Sequence, residues 1–233
     1  MTASIDSVSA LAERVRPVAL ARERVLPVVE SLAGLLPEGG LVRGSTIEVG
    51  GVAATSMALA VVVEAVRQGS WAASVGLSSL GLAAAERLGM PLERLVVVAE
   101  LEQGQWPTVV ATLVEGFDVI LAGSPTALRP ADARRLIARL RERGATLILV
   151  DWPARRWVER PDLTLQTTEV HWEGIGQGWG HLAARRVAIT VTGRRSAGRP
   201  KSAQFWLPAP DGRLAGCSPD NLVSLARYQP RSA

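Results

Sequence analysis

Lysine and cysteine are almost missing from this chain of 233 residues. Lys201 is its one lysine and Cys217 its one cysteine, so an internal disulfide is excluded and a reducing cytoplasm is expected. No apolar run reaches the roughly 20 residues that a membrane-spanning helix requires, because Glu64 and Arg67 interrupt the longest one. The first residues also lack the basic start and apolar stretch of a signal peptide. These absences predict a cytoplasmic protein without a membrane segment.

The residues that are present suit one folded domain. Apolar residues make up 48% of the chain and charged residues 21%, which provides enough apolar surface to build a core. Charge is uneven: residues 1–150 hold 14 arginines against 15 acidic residues, whereas residues 151–233 hold 12 basic residues against 7 acidic ones. A basic carboxyl-terminal part is compatible with nucleic acid or with an acidic partner segment.

Strand and helix patterns alternate over the first two thirds of the chain. Short apolar runs predict strands at Thr46–Val49, Ala72–Val75, Leu95–Val98, Asp118–Ala122 and Thr146–Val150. Helices are predicted at Pro27–Leu36, Thr55–Arg67, Leu82–Leu88, Trp106–Val114 and Arg134–Arg143. This order predicts an α/β protein with three layers, in which a mainly parallel sheet is covered by helices on both faces.

The pattern changes after Pro161, where helices no longer separate the strands. Strands predicted at Leu163–Glu169, Arg185–Thr192 and Ala203–Leu207 favour an antiparallel meander that extends the sheet. Prolines punctuate the stretch Pro208–Ala233 and predict a loosely packed end. We therefore expect an N-terminal helical lead-in at residues 1–36, an α/β domain at 37–210 and a flexible C-terminal tail at 211–233.

One segment has the layout of a phosphate-binding loop. The first predicted core strand runs into Gly50 and Gly51, and Thr55 and Ser56 open the helix that follows. A working loop reads Gly-x-x-x-x-Gly-Lys-[Ser/Thr], in which amides face the phosphates and lysine reaches the terminal ones. No lysine precedes residue 201, so the chain keeps the layout without the chemistry. The segment is either a tight strand-to-helix turn or a residual anion site made by amides at a helix N-terminus.

The order of elements over residues 40–210 resembles the RecA core. Local likeness lies in Gly40-Leu-x-x-Gly44, in Ala85–Met90 and in Asp118–Ser124. Alignment of the helix starts leaves the phosphate loop about two residues short and puts Ala54 in place of the lysine. The resemblance implies a RecA-like domain with a degenerate phosphate loop.

The same resemblance locates acidic positions that are lost. Leu77 follows the second strand, where the RecA family places a glutamate that activates water, and Gly123 ends the fourth strand, where an aspartate organises Mg²⁺. The fifth strand ends Val150-Asp151-Trp152, without the glutamine that senses the terminal phosphate. Phosphoryl transfer rests on such groups for positioning and charge stabilisation. The resemblance therefore implies no catalytic residue, no metal and no cofactor.

A RecA-like domain of this size without its nucleotide site is similar to the ImuA family, in its shortened ImuA-prime form. The likeness is carried by residues 35–59, by Gly69-Ser-Trp-Ala-Ala73 and by Leu128–Arg135. It implies a non-catalytic accessory protein of the DNA damage (SOS) response that supports translesion synthesis and induced mutagenesis. The implied direct partner is ImuB, an inactive relative of the Y-family polymerases. An error-prone replicative-type polymerase and the sliding clamp are implied indirect partners, with a cytoplasmic location that becomes nucleoid-associated under DNA damage.

Tryptophan and arginine residues in the basic part are candidate partner or DNA contacts. Arg155, Arg156 and Trp157 interleave charge with an aromatic ring, which suits single-strand stacking or a solvated loop with its tryptophan turned inward. Trp172 and Trp179 bracket a glycine-rich turn and favour hairpin packing or a partner surface. Two histidines in the same segment are too few for a zinc site.

A basic turn follows the second strand of the meander. Its sequence resembles minor-groove-binding arms, in which an extended Gly-Arg-Pro places arginine in the groove, and an exposed turn is the alternative. The basic residues of this turn are Arg194, Arg195, Arg199 and Lys201.

Two other functions compete with the mutagenesis role. One is a SulA-like cell-division inhibitor that binds a tubulin-like division GTPase, and the other is a weak nucleotide-binding enzyme with an unusual loop. We expect residues 151–233 to supply much of the ImuB-binding surface, because tryptophan and arginine are enriched at interface hot spots. DNA contact is expected to be secondary.

Overall fold

A mixed sheet forms the centre of the protein. The structure, a computed structural model, describes residues 25–78, 80–102, 104–123, 128–151, 157, 160–175, 180–194 and 200–217. Its strands are β1 (Val25–Pro27), β2 (Gly40–Val42), β3 (Thr46–Gly51), β4 (Ala72–Val75), β5 (Leu95–Val98), β6 (Val119–Gly123), β7 (Thr146–Val150), β8 (Leu163–Ile175), β9 (Gly180–Gly193), β10 (Lys201–Trp206) and β11 (Ala215–Gly216). Its helices are α1 (Glu30–Ala33), α2 (Ala54–Arg67), α3 (Leu82–Leu88), α4 (Trp106–Leu113) and α5 (Pro130–Arg143), with a 3₁₀ turn at Leu92–Arg94.

The central sheet has nine described strands in the order β11-β10-β9-β8-β3-β7-β6-β4-β5. The strands from β8 to β5 pair in parallel, and β9, β10 and β11 continue the sheet in antiparallel pairing. Every residue of β4, β6 and β7 is buried, as expected for parallel strands covered on both faces. The predicted α/β core with its antiparallel meander is confirmed.

The helices cover the two faces of the parallel half. Helices α2 and α3 pack on the face that carries Ile47, Val49 and Ile148, whereas α4 and α5 pack on the face that carries Leu147 and Leu149. Alternation of side chains along each strand divides the apolar residues between these two cores. Both faces of the parallel half of the sheet are therefore covered by helices.

The α4/α5 face of the antiparallel half carries polar side chains instead. Gln166, Thr190 and Ser202 lie side by side across β8, β9 and β10, and the Thr190 and Ser202 hydroxyls are 2.9 Å apart. Gln166 and Ser202 are exposed, and Gln204 is exposed further along β10. This face meets solvent, which antiparallel sheets tolerate.

The predicted helix at Pro27–Leu36 is wrong over most of its length. Val25–Pro27 instead forms β1 and pairs antiparallel with β2, and the helix is limited to Glu30–Ala33. Leu26 and Leu41 face each other across the pair and are both buried in the α2 side of the core. Burial of these side chains outweighs the local helical pattern. Residues 1–24 of the expected lead-in lie outside the described residues.

The chain after Pro208 also differs from the loosely packed tail that its prolines predict. A turn closed by a 2.7 Å bond from the Ala209 amide to the Arg213 carbonyl leads into β11, which pairs with β10. Ala209 is buried against Trp206 and Ala184 in a small third cluster. Pro208 and Pro210 stand at turns and do not prevent packing. Residues 218–233 lie outside the described part of the chain.

Candidate functional site

The predicted phosphate loop lies at the carboxyl end of β3. This strand stays paired with β8 through Gly51, which stands opposite Thr167, and α2 begins at Ala54. Only Val52 and Ala53 therefore connect strand to helix. A phosphate loop needs a longer excursion, since four residues separate the two glycines of its sequence pattern and all curve around the phosphates. The connection is too short to make that cradle.

Thr167 of β8 closes this connection from the side. Its hydroxyl donates to the Gly50 carbonyl at 2.9 Å and accepts a bond from the Ala53 amide at 3.3 Å. The Thr167 side chain is buried. The Gly50 carbonyl and the Ala53 amide are thus paired with the protein itself and are not held open for a ligand.

Gly51 is fixed by the same neighbour. Its φ of +98° lies in the left-handed region, and a Cβ at this position would collide with the Thr167 carbonyl oxygen. Glycine is required here for conformation and for close approach of β8. Gly50 is less constrained, because a Cβ there would meet only the end of the Gln166 side chain.

The first turn of α2 also departs from a working site. Ala54, at the lysine position, is 5% exposed and packs in the main core. Thr55 and Ser56 are half-buried in the next two positions, and the helix has no side-chain N-cap. A long cationic side chain at position 54 would have to leave the core to reach a phosphate. The alanine at the lysine position and its burial in the core therefore both argue against a phosphate-binding side chain at residue 54.

The two lost acidic positions meet at neighbouring strand ends. Gly123 ends β6, and a Cβ there would collide with the Gly76 carbonyl oxygen and come within 3.2 Å of the Leu77 side chain. Leu77 is itself buried, at 8% exposure. An aspartate at position 123 has no room unless the chain after β4 moves. The place of a metal-organising acid is filled by backbone and an aliphatic side chain.

Trp106 seals this strand end and was not singled out by the sequence patterns. It opens α4, is buried, and donates from Nε1 to the Gly123 carbonyl at 3.0 Å. A buried indole needs such a partner for its N–H. The available signal was a tryptophan at a helix start in a chain that has only 4% aromatic residues.

Two acidic residues belong to, or directly follow, the neighbouring strands β3 and β7 beside the turn. Asp151 follows β7 with a φ of +53°, is exposed, and has its amide bonded to the Val49 carbonyl at 2.8 Å. Glu48 lies within β3, where burial raises the pKa of its carboxyl group. Within the residues that the structure describes, no three His, Cys, Asp or Glu side chains gather into a metal-binding group.

The tryptophans of the basic part have different surroundings. Trp157 is half-buried and packs on the α4/α5 core, which agrees with a tryptophan turned inward. Trp172 is 40% exposed on β8, with the Arg185 guanidinium 5.0 Å from its ring centre. Burial lowers the pKa of Arg185, whose Nε donates to the Leu207 carbonyl. Trp172 is therefore an exposed aromatic ring held in place by Arg185, whereas Trp157 is turned toward the core.

The basic turn is described only in part. Arg194 is exposed, and Lys201 is exposed with its Nζ donating to the Gly34 carbonyl at 3.0 Å. The structure therefore separates these two residues: Lys201 contacts the N-terminal segment. The other sequence-predicted contacts lie outside the described residues; they are Arg155, Arg156, Trp179, Arg195 and Arg199.

The protein has a RecA-like fold in which the carboxyl ends of β3 and β6 are filled by backbone and side chains of the protein itself. The chain belongs to the family described as the MT3502 N-terminal domain, whose model matches residues 34–154. That range contains the parallel half of the sheet up to β7 and the strand ends just described. No helix in the described part of the chain is long and apolar enough to cross a membrane.

The chain is also similar to one curated protein and to one solved structure. The uncharacterized protein Rv3395c of Mycobacterium tuberculosis is 34% identical over 140 residues, which cover 58% of this chain and 67% of that protein. The crystal structure of the RadB recombinase superposes with a TM-score of 0.59 at 15% identity, covering 81% of this chain and 97% of that one. At this identity the second likeness establishes the fold alone.

Proposed function

We propose that this protein is a non-catalytic accessory factor of the DNA damage response. In this proposal it binds an ImuB-like inactive Y-family polymerase and supports error-prone translesion synthesis. The pathway and the partner come from the sequence resemblance to the ImuA family carried by residues 35–59, 69–73 and 128–135. The RecA-like fold is consistent with that family but does not select the partner.

One observation carries the non-catalytic part of the proposal. The connection between β3 and α2 is two residues long and is bonded to Thr167, so amides and a cation cannot surround a triphosphate there. Phosphoryl transfer depends on such positioning and on charge stabilisation by lysine and Mg²⁺. Leu77 and Gly123 also stand where the RecA family places its two acidic residues. In this proposal these strand ends therefore contribute to folding and not to catalysis.

The β8–β9 hairpin supplies the partner surface in this proposal. β3 ends opposite Thr167, yet β8 continues to Ile175 and β9 returns from Gly180, so the hairpin extends beyond the parallel sheet. It exposes Trp172 at 40% and Leu182 at 47%. Exposed aromatic and arginine side chains are enriched where binding energy concentrates. Braced by Arg185, Trp172 loses little freedom on binding.

A capture experiment with a purified ImuB-like protein tests this assignment. We expect Trp172→Ala and Leu182→Ser each to weaken binding by about tenfold, as loss of a hot-spot contact does. Leu82→Ser is the matched control, since Leu82 is 48% exposed and belongs to α3, not to the hairpin. Parent-like binding by both hairpin variants would place the contact elsewhere. Capture of a tubulin-like division GTPase, without ImuB, would contradict the proposal and favour the SulA-like role.

A further inference from the structure

Three exposed arginines gather at the amino-terminal end of the parallel strands, opposite the closed edge. They are Arg141 near the end of α5, Arg160 before β8 and Arg194 after β9. None of them forms an ion pair with a carboxylate of the described residues. We call these three residues the arginine row.

Backbone contacts bring the row together around Asp162. The Asp162 carboxylate accepts a bond from the Thr46 amide at 3.0 Å, and its carbonyl accepts one from the Arg194 amide at 3.2 Å. Arg160 precedes Asp162 by two positions. On the other side of Thr46, Gly44 packs so closely on α5 that a Cβ there would lie 3.1 Å from the Arg141 Cα. Segments distant in sequence thus place their arginines along one edge.

Several other arginines of the described surface are paired with acidic groups, whereas the exposed residues Arg87, Arg134 and Arg213 form no ion pair with a described carboxylate. Asp132 pairs with Arg129 and Arg135, and Glu115 pairs with Arg139 and Arg143. Near the row, Asp118 is bound by Arg43 at 2.7 Å and by the Trp71 amide. Among the described residues, the carboxylates beside the row are those of Asp162, which holds the Thr46 amide, and of Glu142, which is next to Arg141 in sequence and exposed. Counted over those described residues, three arginines face two carboxylates.

The spacing of the row suits an anion with repeated charges. Arg160 precedes β8, Arg194 follows its neighbour β9, and Arg141 lies beside Gly44 just before β3, so the three arginines are attached to segments at the ends of three adjacent strands. Thr164 and Thr192 stand opposite each other just above the row, on the polar face, and add hydroxyl groups. Arginine guanidinium groups bind phosphates by paired hydrogen bonds, and hydroxyl groups commonly bind the nucleic-acid backbone.

We propose that the arginine row binds the phosphodiester backbone of a nucleic acid. The three arginines supply charge and hydrogen-bond donors, which phosphates accept whatever the bases are, so the contact is expected to read charge and not base sequence. The surface lies at the opposite end of the sheet from the closed nucleotide edge and from the β8–β9 hairpin. The inference stands independently of the proposed polymerase partner, since it needs neither ImuB nor the hairpin.

Fluorescence anisotropy with a labelled single-stranded oligonucleotide, and with its duplex, tests the row. The full chain should bind at low salt, and the affinity should fall as salt rises. Changing Arg141, Arg160 and Arg194 to alanine should make the slope of log K against log salt shallower by about 2 for the single strand, at roughly 0.7 for each lost contact. The change from arginine to lysine at the same positions should retain most of that slope.

A charge-matched variant separates the row from general attraction. Changing Arg87, Arg135 and Arg213 to alanine removes the same charge from exposed positions away from the row. We expect the parent slope from this control. An equal loss in both triple variants, or no binding by the parent at low salt, would overturn the proposal. Equal competition by polyglutamate at matched charge would also overturn it, in favour of an acidic peptide. Circular dichroism confirms that each variant is folded.

Discussion

The two ends of the β8 strand have opposite relations to solvent. Where β8 runs beside β3, Thr167 bonds to Gly50 and Ala53 and closes a turn that a nucleotide would need open. Where β8 continues past β3, Trp172 stands 40% exposed in a hairpin. The first region satisfies its polar groups internally, and the second leaves an aromatic surface available. One end of β8 is therefore filled by internal hydrogen bonds and packing, and the other end carries exposed surface.

The closed region owes its stability to close packing as well as to hydrogen bonds. Gly51 and Gly123 each allow a neighbouring backbone to approach where any side chain would collide. Trp106 then covers the end of β6. Replacing a ligand site in this way removes the cost of holding donors and acceptors away from water and from each other. It also makes the region sensitive to small changes.

The largest effect is expected from Gly51→Ala. The new Cβ meets the Thr167 carbonyl in a backbone that already has positive φ, so we expect a loss of about 3 kcal/mol in the free energy of unfolding. Gly69→Ala is the matched control, because Gly69 has a φ of +108° with no atom near the new Cβ. It should lose only about 1 kcal/mol. Equal losses by urea denaturation would show that the close approach of β8 is unimportant.

A smaller difference should separate two tryptophans. Trp106→Phe deletes the donor to the buried Gly123 carbonyl, and a buried acceptor left without its partner costs about 1–3 kcal/mol. Trp172→Phe changes an exposed ring that keeps its aromatic face toward Arg185, so a change below about 0.5 kcal/mol is expected. Thermal unfolding followed by circular dichroism measures both. A stable Trp106 variant would mean that Trp106 does not seal the strand end.

Much of the parallel half could be predicted from the sequence. Apolar runs such as Ala72–Val75 and Thr146–Val150 coincide with buried strands, and Gly89 and Gly144 end their helices in the left-handed conformation. These signals are local, since period and glycine position act within a few residues. The absence of the phosphate-loop lysine could also be predicted from the sequence, because no lysine precedes Lys201.

The closure of the site was not predictable in detail. Thr167 lies more than a hundred residues after Gly50, and nothing in its neighbours indicates that its hydroxyl bonds to the turn. The bond from Trp106 to Gly123 depends in the same way on how α4 packs. The short strand β1 was missed because its pairing with β2 is decided by burial of Leu26 and Leu41 and not by local pattern. Contacts between residues distant in sequence are therefore the part of the structure that local patterns do not predict.

We propose that the turn between β3 and α2 serves folding and does not bind nucleotide. Calorimetric titration with ATP, with and without Mg²⁺, tests it most directly, with an ATPase that has an intact phosphate loop as the positive control. We predict no saturable heat up to about millimolar ATP, because the turn is two residues long and bonded to Thr167. A Mg²⁺-dependent dissociation constant in the low micromolar range would contradict the account.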